Sequence, residues 1–234
     1  MKLSVVIPVY SEEEALREVV RGLFQRVPDV LHQIILIVSP KSGARTFAVC
    51  EALTRTDPRV ECHVQQENPG IGRAYKQAFA RVTGTHVLII DADGEMDLDA
   101  VPKFVEAARQ GAELVLGSRW IRGGGAVGYD RTTYVLNRGF QSLFRLLFRT
   151  RVHDLTYGFK LFDARLLTQV HWWGTLHEIA METTLKPLKL RYRVREIPTV
   201  WRKRTEGYSK AGLRKRLRYV PHALRILLAS RDEL

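Results

Sequence analysis

Five short apolar runs in the first half of the chain are separated by stretches with helical spacing, and this alternation constrains the fold more than any other feature. Residues 3–9, 33–38, 60–65, 86–90 and 113–117 are brief and rich in Val, Ile and Leu, as strands covered on both faces are. Between them, residues 12–26, 45–55, 72–82 and 99–110 repeat apolar side chains at helical intervals. Strands that alternate with helices imply an α/β fold with a mostly parallel, Rossmann-like sheet flanked by helices, because parallel neighbours need a crossover. Such sheets bind ligands beyond the carboxyl ends of their strands, so the residues that follow each strand are the first candidates for function.

After Gly117 the rhythm changes. A glycine loop at 123–125 precedes a helical pattern over 131–148, then a loop near 153–159, a helix near 177–188, a strand near 192–200 and a basic helix over about 213–228. No internal repeat and no Ser/Pro-rich linker interrupts the 234 residues, so a single domain over 1–234 is expected, with 118–234 closing over the sheet. Charge divides along the same line. Residues 1–117 hold 13 Lys/Arg against 16 Asp/Glu, and residues 118–234 hold 24 against 9, so the net +12 combines an acidic half with a half carrying +15. A polyanionic partner follows, whether nucleic acid, an anionic membrane or a phosphorylated ligand. Two cysteines, Cys50 and Cys62, are too few for a disulfide scaffold or a four-cysteine zinc site and read as reduced, buried thiols. No apolar run reaches the roughly 18 residues of a membrane span, and 3–9 is too short for a signal peptide. A soluble, cytoplasmic protein is the expectation.

Two segments carry chemistry. Val87-Leu88-Ile89-Ile90-Asp91-Ala92-Asp93-Gly94-Glu95 ends a strand in carboxylates two residues apart, with a third acid two further on. Oxygen-only donors of this kind suit Mg²⁺ or Mn²⁺, commonly shared with a diphosphate; a polar turn with Asp97 or Asp99 capping the next helix is the competing reading. Asn68-Pro69-Gly70-Ile71-Gly72-Arg73 lies between a strand and a helix. Gly72 at the helix start would let a nucleotide approach free backbone N–H groups, although Pro-Gly in that position is first of all a turn.

Taken together, these residues resemble the family 2 glycosyltransferases of the GT-A fold, and among them the dolichyl-phosphate mannose synthases. The resemblance runs from Val5-Val6-Ile7-Pro8-Val9-Tyr10-Ser11-Glu12 to Gly207-Tyr208-Ser209-Lys210 and includes Gly117-Ser118-Arg119, Asp154-Leu155-Thr156, Gly158-Phe159 and Glu196-Ile197-Pro198. It implies that Pro8, Tyr10, Glu12 and Asp91 help hold the donor nucleotide and that Asp91, Asp93 and Glu95 hold the metal. It implies further that 1–117 is the nucleotide and metal half and 118–234 the acceptor half. Two departures stand out. Ser39-Pro40-Lys41 follows the second strand where the family has one or two aspartates for the nucleoside, and Thr133 and Asn137 stand where the family places a basic residue and a serine near the acceptor phosphate.

The implied reaction is an inverting transfer of a hexose, mannose from GDP-mannose being the foremost choice, to a polyprenyl or dolichyl phosphate. A phosphate monoester with a second pKa near 6 is already nucleophilic at neutral pH, so no strong base is needed. Cations that bring two phosphorylated reactants together are needed instead. Arg119, Arg204 and Lys210 are the candidates, with Asp93 on the metal and Asn137 beside the acceptor phosphate. Glu178 and Glu182 share a helical face; Glu182 aligns best with the base used by family members that glycosylate hydroxyls, or it is a helix-surface carboxylate. A different donor or a saccharide hydroxyl acceptor is therefore the rival enzyme, and a non-catalytic basic membrane- or nucleic-acid-binding module the rival of another class. Leu213, Leu217, Val220, Leu224 and Leu227, and the stripe Phe140, Leu143, Phe144 and Leu147, lie beside arginines. They are ordinary core faces or faces for an anionic bilayer, which would make attachment peripheral at the cytoplasmic face or through a membrane partner subunit. With the lipid phosphate as its target, the +15 half leaves nucleic acid a distant partner.

Overall fold

The computed structural model describes residues 1–203 and 219–234. Its first half follows the alternation read from the sequence: β1 (Leu3–Val9), α1 (Glu14–Arg26), β2 (Leu31–Val38), α2 (Ala44–Thr56), β3 (Val60–Val64), α3 (Ile71–Phe79), β4 (His86–Ile89), α4 (Val101–Arg109) and β5 (Leu114–Ser118). A single 3₁₀ turn, Leu98–Ala100, leads into α4, and the Asp97 side chain caps it by accepting from the Asp99 N–H. The second half supplies β6 (Gly125–Val127), α5 (Arg131–Leu147), β7 (Lys160–Asp163), α6 (Leu166–Gln169), α7 (Ile179–Lys189), β8 (Val194–Pro198) and β9 (Val200–Arg202). Beyond 204–218, α8 (Tyr219–Leu228) follows, so the start of the basic helix expected over 213–228 lies outside the described residues.

Seven strands form one sheet in the order β3-β2-β1-β4-β7-β5-β8, and β6 and β9 pair as a separate parallel ribbon. All neighbours in the large sheet are parallel except β7, which runs antiparallel between β4 and β5. Successive side chains of β1 enter opposite cores: Val5 and Ile7 join α1, α2 and α4, while Val6 joins α3, α7 and α8. Every residue of β1 but Pro8 is buried, which explains its mainly apolar run; the hydroxyl of buried Ser4 donates to Gln33 Oε1 at 2.8 Å. Phe104 of α4 meets Phe159 at 4.6 Å between ring centroids, and burying a side chain of that size stabilises by about 1.5–3 kcal/mol.

Four elements depart from the sequence reading, of which β6 and α6 are short pieces that it does not contain. β7 is an unanticipated strand, because Lys160 and Asp163 leave only two apolar residues between charged ends. Lys160 is tolerated at full burial because its ammonium donates to Ala180 O (2.6 Å), Thr183 Oγ1 (2.9 Å) and Thr184 Oγ1 (2.8 Å) of α7. The strand expected over 192–200 is two strands, β8 in the large sheet and β9 in the ribbon, separated at Thr199. Cys50 is buried as expected, whereas Cys62 is half-exposed; both are free thiols.

Candidate active site

Parallel pairing brings the carboxyl ends of β1, β2 and β4 to one edge, with Val9 opposite Val38 and Val6 opposite Ile89. Pro8, Tyr10 and Glu12 therefore sit at the same edge as Asp91, Asp93 and Glu95. Glu12 Oε2 accepts from the backbone N–H groups of Tyr10 (2.7 Å) and Ser11 (2.9 Å), which pins its carboxylate across the turn after β1. Ser39, at the end of β2, is buried; its hydroxyl accepts from Asn68 Nδ2 (3.1 Å) and from the Lys41 N–H (3.2 Å).

The loop after β4 concentrates negative charge. Burial pushes the Asp91 carboxyl up to about 8, and the charges of Asp93, Glu95 and Glu12 add to that push, while a hydrogen bond from buried Tyr75 opposes it. Asp93 Oδ1 accepts from the Glu95 N–H (3.1 Å), so the loop closes on itself. Glu95 Oε2 accepts from Trp201 Nε1 (3.0 Å), and Glu95 O accepts from the Arg202 N–H (3.0 Å), which fastens the loop to β9. Among the described residues, no three acids or imidazoles converge into a formed cation cage. The donor chemistry nevertheless fits Mg²⁺ or Mn²⁺: all donors are carboxylate oxygens, and magnesium characteristically takes one or two carboxylates and completes its shell with water and substrate phosphates.

Arg119 has a different place from the one expected of a substrate-facing cation. Its side chain is 8% exposed and its Nε and Nη2 donate to the two oxygens of Asp154 at 2.8 and 2.9 Å. Nη1 donates to Tyr129 Oη at 2.8 Å, and the guanidinium lies 4.5 Å from the centre of the Tyr157 ring. Burial alone would lower its pKa, but the Asp154 carboxylate holds it well above the ordinary arginine value. Gln141 of α5 extends the network: its Nε2 donates to Thr156 Oγ1 (2.8 Å) and its Oε1 accepts from the Leu155 N–H (2.8 Å). Glu196 of β8 accepts from the backbone of His153 (2.9 Å) and Asp154 (3.1 Å). Asp154, Thr156 and Glu196, singled out in the sequence by resemblance, thus build a buried frame. Asn137 lies half-buried on α5, one turn before Gln141 and on the same face. Arg204 and Lys210 lie outside the described residues.

Gly72 also needs correction. A Cβ there would come within 2.7 Å of Gly174 O and of the Thr175 carbonyl carbon, and the Arg73 N–H donates to Thr175 O. The close approach that this glycine permits is to the chain's own backbone, so the start of α3 is covered rather than open to a nucleotide. The covering loop is held by Glu182, which is fully buried. Glu182 Oε1 accepts from the Trp173 N–H (2.6 Å) and Lys186 Nζ (2.8 Å), and Oε2 from the Gly174 N–H (2.6 Å) and His222 Nε2 (3.1 Å). Burial would raise its pKa, but these donors keep it below the usual carboxylate value. A carboxylate so committed does not serve as an exposed base, and it is not a helix-surface group either. A shallow pocket of about 420 Å³ opens nearby, lined by Thr175, Leu176, Glu178, Pro221, His222 and Arg225 and by none of the expected site residues.

The helices with arginine stripes divide their apolar residues. On α5, Phe140 and Phe144 turn inward, whereas Val135, Leu136, Leu143, Leu146 and Leu147 are exposed. On α8, Ala223 and Ile226 make the core contact, Val220 and Leu227 are half-buried, and Leu224 and Leu228 are exposed. Leu213 and Leu217 fall outside the described residues. Among the described residues no helix is long and apolar enough to cross a membrane.

Comparison with known proteins places this geometry. The family model described as glycosyl transferase family 2 matches residues 4–170. A dolichol-phosphate mannosyltransferase of Pyrococcus furiosus is 27% identical over 233 residues, covering 97% of this chain and 64% of that protein, so the chain spans less than two thirds of that relative's length. A polyprenol monophosphomannose synthase of Mycolicibacterium smegmatis is 28% identical over 213 residues, covering 88% of this chain and 79% of that protein. Among solved structures, glucosyl-3-phosphoglycerate synthase from Mycobacterium tuberculosis in complex with Mn²⁺ and UDP-glucose superposes with a TM-score of 0.72 at 19% identity, covering 97% of this chain and 78% of that one. The same enzyme with Mn²⁺, UDP and phosphoglyceric acid gives 0.70 at 18% identity, covering 97% of this chain and 77% of that one. At such identity the likeness concerns the fold.

Proposed function

The chain belongs to glycosyl transferase family 2 and has a GT-A-like fold, and from that premise we propose that it transfers a hexose, with mannose from GDP-mannose the first choice, to a polyprenyl phosphate with inversion. The acid-rich loop Asp91–Glu95 at the carboxyl end of β4 is the observation that carries this reading, since it sits where an open parallel sheet receives a nucleotide. The names of two relatives supply the sugar and the class of acceptor. Asp91, Asp93 and Glu95 would hold Mg²⁺ or Mn²⁺. Bound there, the ion supplies charge neutralisation for the departing nucleoside diphosphate.

The remaining work falls to the chain's own residues. Glu12, fixed by the N–H groups of Tyr10 and Ser11, shapes the turn beside which the nucleoside would lie. The acceptor phosphate is its own nucleophile, so the site needs cations and exclusion of water more than a base. Arg204 and Lys210 are proposed for that charge. Arg119 is proposed as a positioning residue, because its donors are engaged by Asp154 and Tyr129, and Asn137 as a neutral contact beside the acceptor phosphate. The commitment of Glu182 to four donors disfavours the rival hydroxyl acceptor, which would require a base in that region.

The donor nucleoside supports a second reading. Ser39 cannot supply the carboxylate of an aspartate, its hydroxyl oxygen already accepts from Asn68 Nδ2 and the Lys41 N–H, and structural neighbours were crystallised with uridine nucleotides. A thermal-shift panel of GDP, UDP and ADP with Mn²⁺ decides. Stabilisation by GDP supports mannose from GDP-mannose, stabilisation by UDP moves the donor to the uridine series, and no stabilisation by any of them contradicts a nucleotide-sugar donor.

Attachment to an anionic membrane surface is proposed through α5. Its exposed Val135, Leu136, Leu143, Leu146 and Leu147 share the helix with exposed Arg131 and Arg138, and exposed Arg149 follows its end. That arrangement would set the enzyme peripherally on the leaflet that holds its acceptor, with or without a membrane partner subunit.

A further inference from the structure

Trp201 stands outside every motif considered above, yet its side chain meets the third acid of the loop. It lies on β9, in the ribbon that is separate from the large sheet, and its indole N–H donates to Glu95 Oε2 at 3.0 Å. Next to it, the Arg202 N–H donates to Glu95 O at 3.0 Å, so side chain and main chain of Glu95 are held by consecutive residues of one strand. The indole is itself buttressed. Tyr129 meets it edge to face at 4.7 Å, and Tyr129 Oη accepts from Arg119 Nη1 at 2.8 Å. Arg119 is locked by Asp154 at 2.8 Å. Contacts therefore run without a break from the buried Asp154–Arg119 pair through Tyr129 and Trp201 to Glu95, whose N–H in turn holds Asp93 Oδ1.

We propose that Trp201 is a positioning residue that fixes the Glu95 carboxylate for divalent-cation binding, with Tyr129 and Arg119 as its support. The inference rests on the reading of Asp91, Asp93 and Glu95 as the cation site. An indole N–H is a donor only, so it occupies one lone pair of Oε2 and leaves the negative charge of the carboxylate intact. A carboxylate has about four such acceptor positions, and an outer donor that restricts its rotation lowers the entropy lost when a cation takes another. Arginine or lysine in the place of Trp201 would neutralise the ligand; tryptophan orients it without competing for its charge. Outer partners of this kind are worth about 10–100-fold in metal affinity.

The test is Mn²⁺ binding to the nucleotide-free protein, followed by the electron paramagnetic resonance signal of the free ion. Trp201→Phe keeps the ring against Tyr129 and removes the N–H; it should raise the Mn²⁺ dissociation constant about tenfold. In a Glu95→Gln background the same change should add little, because the residue through which it acts is gone. Equal weakening in both backgrounds, or none in either, overturns the proposal. If the unmodified protein binds no Mn²⁺ either alone or with GDP or UDP present, the cation reading fails and the inference with it. A measurement that needs no variant stands beside these: Mn²⁺ should quench part of the intrinsic tryptophan emission and Mg²⁺ should reverse the quenching. Emission indifferent to bound Mn²⁺ would contradict the placement of Trp201.

Discussion

Removing the carboxylate of Asp154 should cost more stability than any surface change in the molecule. Its side chain is fully buried and accepts from the Arg119 N–H (3.1 Å), Nε (2.8 Å) and Nη2 (2.9 Å), with Gln141 Nε2 at 3.5 Å. In Asp154→Ala the guanidinium stays buried with only Tyr129 Oη and Thr156 Oγ1 as polar partners among the described residues. Breaking a buried pair from one side typically costs about 3–5 kcal/mol, because the survivor keeps its desolvation penalty. For a chain of this size each kcal/mol lowers the unfolding midpoint by about 2–4 °C, so a fall of about 10 °C is expected. Thermal unfolding followed by near-ultraviolet circular dichroism reads it directly. Replacing both partners by apolar residues, Arg119→Met with Asp154→Leu, should recover much of the loss, since no charge is then stranded. A midpoint for Asp154→Ala within about 2 °C of the parent, well below the shift that principle implies, would refute the claim that the pair is a buried frame.

Three further outcomes follow from the same structure. Gly72→Ala places a Cβ 2.7 Å from Gly174 O, a backbone atom that cannot swing aside; about 1–3 kcal/mol of destabilisation in urea melts is expected, and an unchanged midpoint would mean that the start of α3 is open. Burial holds the Lys160 amine down to about 7, against its ordinary 10.5. Between those values the unfolded chain binds the extra proton, so this group makes stability rise with pH from about 7 to about 10.5 and adds no slope below 7. A Lys160→Met variant should lose that rise in midpoint-versus-pH scans, and parallel curves would contradict the assignment. Leu143→Glu with Leu146→Glu should release the protein from phosphatidylglycerol vesicles in flotation assays while leaving its unfolding midpoint in place; retained flotation would remove α5 from the membrane proposal.

Much of the fold was legible because its strands obey the simplest pattern. β1, β2, β4 and β5 are mainly apolar, the edge strand β3 sets Glu61 and His63 between its apolar residues, and the limits of all five differ from the sequence reading by at most two residues. β7 was hidden because Lys160 enters a strand only where α7 offers three oxygen acceptors, which no local pattern announces. The division of 192–200 into β8 and β9 was hidden for a related reason: both pieces mix apolar with charged residues, and what separates them is the partner each finds.

At the site, the acid cluster was visible because i, i+2 spacing after a strand is a local signal. Arg119 was not readable as a buried group, since its partner Asp154 lies 35 residues away and an arginine in a basic half looks exposed. Gly72 was taken for a ligand cradle because the backbone that fills its space, Gly174 and Thr175, comes from a loop a hundred residues later. Trp201 gave no signal at all: the N–H of an indole is informative only once Glu95 is seen beside it.

The measurement that bears most directly on the account is transfer of labelled hexose from GDP-mannose to a polyprenyl phosphate in detergent, with and without Mg²⁺ or Mn²⁺, comparing the parent with Asp91→Ala plus Asp93→Ala. The account predicts a glycosylated lipid phosphate that forms only with the divalent ion and disappears in the double variant, while the variant unfolds as cooperatively as the parent. Product that forms equally well in excess chelator, or undiminished in the folded double variant, would contradict it.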